Sequence, residues 1–349
     1  MTAKDQNITG DNHYLSQGYL KHWESSPGHI QLYRILVSDE RVPLWRERRI
    51  KGIGYQQHLY TRRITGQESD EIEQWFSKEF ETPAESAIQR ALHNDRLTPD
   101  DWRRLVRYLA MHDVRTPARL VEYLEMANRT TPLALEKTMQ DLAARLEAVK
   151  QGRGAPPSPG PLDMAFPLKV TTTITEGEEF GTVQAETATG RALWLWAIQR
   201  LLTRTAKVLE QHKWTIMQPV KGMAWFTTDK PVIRLNFHDS NRYDFKAGWA
   251  SKGSEILMPL GPEHLLYTRI GERPPPRGTR FSADETILLR RMMAEHAHRY
   301  IFAHTVDATV PQLRPRTANA EFYRQELEQW NRWHAQQAES EQHLFGTKP

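Results

Sequence analysis

The chain of 349 residues contains no cysteine. Disulfides, thiolate nucleophiles and cysteine-ligated zinc are therefore excluded, and a reducing cytoplasm is the expected location. No apolar run reaches the length of a membrane span. The opening Met1-Thr2-Ala3-Lys4-Asp5-Gln6 leads into no apolar segment, which predicts no signal peptide. Also missing are a glycine-rich phosphate loop, a Gly-x-Ser-x-Gly elbow, a dinucleotide fingerprint and a His-Glu-x-x-His helix. These absences argue against an ATPase, a serine hydrolase, an NAD enzyme and a zincin.

With 39% hydrophobic and 26% charged residues, the sequence reads as globular and long enough for a large core. Lysine and arginine outnumber the acids by only 47 to 43, but their distribution is uneven. Arg41, Arg46, Arg48, Arg49, Lys51, Arg62 and Arg63 fall together, opposed there only by Glu47. Glu68, Asp70, Glu71, Glu73, Glu79 and Glu81 follow at once. A basic strand pair neutralised by an acidic helix is one reading. A phosphate-facing patch is the other, with Arg46, Arg48 and Arg49 around Trp45 suited to nucleic acid.

Periodicity predicts an α+β fold. Tyr33, Ile35 and Val37 alternate within Ile30–Ser38, as in a half-buried strand, and Ile53–Thr61 reads as a second. Ile72, Trp75, Phe76 and Phe80 then follow helical spacing, with Asp70 and Glu73 placed as a capping box. Thr98-Pro99-Asp100-Asp101 is a helix start, and Trp102, Leu105, Val106 and Leu109 form its stripe. Two further helices are expected over Pro117–Asn128 and Leu133–Lys150. The run 151–162 is rich in glycine and proline and reads as a loop or linker. It divides a mainly helical region 1–150 from an α+β region 163–349. The second region should hold a central helix Arg191–His212 and an antiparallel sheet of short strands (Trp214–Met217, Met223–Thr227, Val232–Phe237, Glu255–Met258, Leu265–Arg269). Helices Asp284–His304 and Ala318–Ala338 should flank it. Ile35, Val37, Trp75, Phe76, Leu105, Leu109, Trp194, Leu201 and Leu235 are the expected core.

Several landmarks resemble, in order and spacing, the family called domain of unknown function 4238. They are His13-Tyr14-Leu15-Ser16-Gln17 with Tyr19-Leu20, Asp70-Glu71-Ile72-Glu73, Arg115-Thr116-Pro117, Thr227-Thr228-Asp229-Lys230-Pro231-Val232 and Met258-Pro259-Leu260-Gly261-Pro262. Ser16 stands where the family usually has proline, and Thr228 where it more often has serine. The resemblance spans roughly Asn12 to Val306. It implies a fold region and candidate residues; it implies no reaction, because the family carries none.

The candidate residues follow. His13 and Gln17, four apart, would share a helix face as base and ligand, or as a buried polar pair. Glu73 and Asp229 supply carboxylates for acid–base work or a divalent metal; Asp229 before Lys230-Pro231 is equally a turn former. Arg115 would hold an anionic ligand or pair with the Glu71/Glu73 helix. His112-Asp113, with His93 and Asp141, has the residue types of a metal phosphohydrolase, though not its spacing. Arg299 and His304, beside His296 and His298, have the Arg-x4-His spacing of a class of small helical ribonucleases. Two functions from different classes remain. One is a hydrolase acting on nucleic acid or another phosphate-containing substrate, with His13, Glu73, Arg115 and Asp229 in one cleft. The other is a non-catalytic binding protein in which these residues form a structural polar core.

Overall fold

In the computed structural model, which describes residues 10–64, 67–153, 166–174 and 181–345, Tyr33, Ile35 and Val37 are all buried. Tyr33 lies on strand His29–Arg34 and Val37 on its short continuation Leu36–Val37, with Ile35 at the bend between them. The half-buried expectation is corrected by the opposite face. Ile30 and Leu32 are buried there as well, so the strand lies between two apolar clusters. Its partner also differs from the one expected. Ile53–Thr61 contributes only Tyr55–Gln57, which pairs with Asp11–His13. The strand beside His29–Arg34 is Trp45–Arg49, the basic segment itself. Four charged residues in five mask its alternation, and Trp45 fixes the pairing by packing on Tyr33 at 5.6 Å between ring centroids.

The other neighbour of His29–Arg34 is Tyr300–Ala303, from far along the chain. Together they build a four-stranded sheet in the order Thr227–Thr228, Tyr300–Ala303, His29–Arg34, Trp45–Arg49, antiparallel throughout. A second antiparallel sheet has the order Thr215–Met217, His264–Arg269, Glu255–Gly261, Ile233–Asp239, Arg242–Asp244. The fold is α+β, with helices packed against both sheets. Most of 151–162, and with it the proposed linker, lies outside the described residues.

The helix start at Thr98 forms as expected: its hydroxyl accepts from the Asp101 N–H while the Asp101 side chain accepts from the Thr98 N–H. The box at Asp70 does not form, because both carboxylates are taken elsewhere. Asp70 accepts from the Gln74 amide at 2.8 Å, and Glu73 reaches the N–H of His13 at 3.2 Å. That helix, Glu71–Phe76, passes through a π turn, Ser77–Glu81, into Thr82–Leu92.

The two helices expected around Pro132 are one, Pro117–Lys150. A proline inside a helix removes a single backbone bond, and here the chain continues through it. Arg191–His212 is divided by a π turn, Leu201–Thr205, so Leu201, like Trp75, is only half-buried; the other expected core residues are buried. The helix expected to reach His304 ends at His296, because Tyr300-Ile301-Phe302 is drawn into the sheet. The last helix is Ala320–Phe345. Among the described residues no helix is long and apolar enough to cross a membrane.

Candidate functional site

His13 ends a strand and the helical turn Gln17–Leu20 begins only at Gln17, so the two do not share a helix face. They still meet: the Gln17 amide lies 3.4 Å from His13 Nε2. Ser16 caps the turn and contacts the Tyr108 hydroxyl at 2.8 Å. The sequence thus folds its first motif as strand, cap and turn, which points the backbone of His13 and Tyr14 inward.

Arg115 follows helix Pro99–Val114 and is 1% exposed. Its Nε donates to the Tyr14 carbonyl at 2.9 Å, and Nη1 lies 2.7 Å from Glu81 Oε1. The guanidinium lies over Phe76, and the Tyr60 hydroxyl donates to the Arg115 carbonyl. The carboxylate partner is therefore Glu81 of the π turn, rather than Glu71 or Glu73. The extra residue of that turn is the local device that brings Glu81 round. Glu73 lies nearby. Burial lifts its pKa to about 7 against the pull of Arg115 and the His13 N–H. Four of the expected residues, His13, Gln17, Glu73 and Arg115, thus gather in one network.

Asp229 lies apart from them, across Tyr14. One carboxylate oxygen accepts the His298 N–H at 2.9 Å and the other the Arg299 N–H at 2.7 Å. It pins the crossing from helix Ala283–His296 into strand Tyr300–Ala303. Burial raises its pKa to about 6, outweighing these hydrogen bonds.

Asp229 and Tyr14 both line a cavity of about 340 Å³. Its floor is the face of the four-stranded sheet that carries Leu32, Arg34, Tyr300 and Phe302. Residues 52–57 form one wall, and Tyr323, Glu326 and Trp330 of the last helix form the roof. Arg299, which also lines it, is neutralised by Glu326 at 2.8 Å. Arg34 is different. Among the described residues it is in no ion pair, and its Nε is buried without a hydrogen-bond partner. His298 beside it is kept neutral: burial, then Arg299 and Lys230, lower its pKa to about 4. Sequence reasoning passed over Arg34. The signal was there, an arginine in phase with Ile30 and Leu32 on an otherwise apolar strand face.

Arg46 and Arg48 stand opposite Leu32 and Ile30, on the same sheet face as Arg34, while Arg49 lies on the other. Among the described residues none of the three is in an ion pair, so the acidic helix does not neutralise them. Among the described side chains of that basic segment, Arg62 approaches it, 3.9 Å from Glu71.

The remaining candidates are dispersed. His112 is fully buried between Tyr19 and Tyr108, and Asp113 is held by Arg119, Arg234 and the Trp249 N–H. His93 is exposed and Asp141 pairs with Lys137, so the four form no metal set. Arg299 and His304 flank a strand instead of sharing a helix, and His304 Nδ1 contacts the Glu24 carbonyl.

Another group has metal-like composition: His58, Glu68 and His334 bring one ligand atom each within 4.8 Å of one another. Its hydrogen bonds oppose that use. Arg191 Nη1 donates to His334 Nδ1 at 3.0 Å, which places the neutral ring's proton on Nε2, facing Glu68 at 2.9 Å. A ring nitrogen that carries a proton cannot bind a cation. The group instead clamps the last helix, together with the buried Arg191–Glu341 pair at 2.7 Å. Gly190 permits this approach, since a Cβ there would meet the Gln337 side chain at 2.4 Å.

No curated protein and no solved structure matches the chain. One family model does, over residues 11–307, which takes in the cavity's floor, its wall and Asp229 but not its roof. The chain belongs to the family described as protein of unknown function (DUF4238).

Proposed function

We propose that the protein binds a small anionic ligand, a carboxylate or phosphate compound, in the cavity between the four-stranded sheet and the last helix. The observation that carries this reading is Arg34, an arginine with a buried, unpartnered Nε on the cavity floor. Arg34 is half-buried and in no ion pair among the described residues, so an incoming anion supplies both an acceptor for its Nε and a counter-charge for its guanidinium. Arginine also suits planar, two-point recognition of such groups. Tyr14, Tyr55, Tyr300 and Tyr323 supply hydroxyls and ring faces around it. In this reading His13, Gln17, Glu73 and Arg115 form the structural network that fixes Tyr14, and Asp229 fixes the strand carrying Tyr300.

The second reading is hydrolysis of a nucleic-acid or other phosphate-containing substrate. Its support is Asp229, whose pKa of about 6 suits proton transfer near neutral pH. Both of its oxygens already accept backbone N–H groups, and Arg115 is sealed from solvent, which favours binding over catalysis.

The test is a thermal-shift series with phosphate, pyrophosphate, nucleotides and dicarboxylates on the parent protein and on Arg34→Gln. At least one anion should raise the parent's midpoint and leave that of the variant unmoved. Equal shifts in both, or none in either, would remove the proposal. Turnover of the stabilising phosphate ester, abolished in Asp229→Asn, would promote the hydrolytic reading.

A further inference from the structure

We propose that the ligand held by Arg34 carries a second anionic group, which Arg314 takes in an adjoining cavity, so that the ligand is a dianion with an acid at each end of an apolar middle. This rests on the reading of Arg34 given above and adds to it a second site and a ligand class.

Beside the first cavity lies another of about 550 Å³, between the last helix and the start of helix Pro117–Lys150. Leu36, His298, Arg299, Glu326 and Trp330 line both spaces and form the partition between them. Leu120, Leu124, Phe322 and Trp333 give the second cavity apolar walls. Arg314 lines it too. Like Arg34, it is half-buried and in no ion pair among the described residues, and its Nε is buried without a hydrogen-bond partner.

The fold brings these two arginines together from opposite ends of the chain. Thr317–Ala318 pairs in parallel with Leu36–Val37, the continuation of the strand that carries Arg34. Paired strands lie ~4.8 Å apart, so the two arginines start from neighbouring backbone. Arg314 is held at both of its backbone groups. Its N–H donates to the Val310 carbonyl at 2.8 Å, and its carbonyl accepts from the Tyr33 hydroxyl at 2.6 Å. A side chain presented from a fixed backbone loses less freedom when a ligand arrives.

The other charges around the two cavities are already matched. Arg299 and Glu326 neutralise each other at 2.8 Å, and Asp229 accepts two backbone N–H groups. Two guanidiniums are left, one at each cavity, and each suits a carboxylate or phosphate group. Between them the partition offers Leu36 and Trp330, an aliphatic and an aromatic surface, together with the carboxylate of Glu326. That carboxylate disfavours a third anionic group midway, and the two apolar side chains favour an apolar middle.

Calorimetric titration of the full chain tests this, with linear dicarboxylates and bisphosphates of increasing length, each beside the monoanion of the same length. The series that binds distinguishes carboxylate from phosphate. In the parent one length of dianion should bind about ten- to a hundredfold more tightly than its monoanion. Arg314→Gln should lower the dianion to the affinity of the monoanion and leave the monoanion unchanged, whereas Arg34→Gln should weaken both. Arg314→Lys keeps the charge but loses the fork, and its dianion affinity should fall between parent and glutamine variant. Unliganded melting midpoints should be the same in all four proteins, which separates lost binding from lost folding. Equal affinity for monoanion and dianion at every length, both dependent on Arg34, would overturn the second site and leave the first standing. Loss of the monoanion in Arg314→Gln as well would place both arginines on one group and overturn the two-ended ligand. Binding of neither by the parent would remove the reading of Arg34 itself, and the second site with it.

Discussion

Replacing Arg115 with alanine separates a structural network from a reactive site. Three losses follow from its geometry. The Tyr14 carbonyl, bonded at 2.9 Å, is left without its donor, which costs about 1–3 kcal/mol in a buried setting. Glu81 loses its partner at 2.7 Å. A fully buried pair broken on one side would cost about 3–5 kcal/mol, but Glu81 is 27% exposed, so hydration recovers most of this and about 1 kcal/mol remains. The space vacated over Phe76 adds a smaller packing term. The sum is about 3 kcal/mol. With an unfolding entropy of ~2.1 cal/mol/K per residue, this lowers the melting midpoint of a chain this size by about 4 °C. Differential scanning calorimetry at neutral pH reads it directly. An unchanged midpoint would refute the reasoning and return Arg115 to the candidates for ligand contact.

Glu73→Gln tests the buried carboxylate. Burial raises its pKa to about 7 from 4.5, so the folded state prefers the neutral acid. Its stabilisation is complete below the unfolded value and lost as pH rises through the folded one. Glutamine keeps the oxygen for the His13 N–H and stays neutral, so the variant should melt like the parent at about pH 4 and higher than it at about pH 8. A variant destabilised equally at both would contradict the shift. The edge strand is tested with a single-stranded oligonucleotide. If Arg46 and Arg48 contact phosphates, binding should weaken steeply with salt, and replacing both with glutamine should flatten the slope by about two charges. No binding at low salt ends that reading.

Much of the architecture was legible where one physical signal acts alone. Tyr33, Ile35 and Val37 show their strand by alternation, and Thr98 with Asp101 shows its helix start by capping chemistry. Errors arose where long-range pairing overrides a local pattern. Trp45–Arg49 is a strand because His29–Arg34 offers it an edge, and Tyr300–Ala303 leaves the helical pattern because that same strand has a second edge. The candidate site was legible in part. His13, Gln17, Glu73 and Arg115 do meet, but the partner Glu81 depends on a π turn that no residue pattern signals. The cavity itself was not legible, because Leu32 and Arg34 of its floor lie far along the chain from Tyr300 and Phe302 beside them and from the roof residues Tyr323, Glu326 and Trp330, and only the fold juxtaposes them.

The most direct test of the central claim is calorimetric titration of the best-stabilising anion into the parent protein and into Arg34→Gln. The account predicts one site per chain in the parent, with affinity lost in the variant while its unliganded melting midpoint is kept. Equal affinity in the two proteins would contradict it.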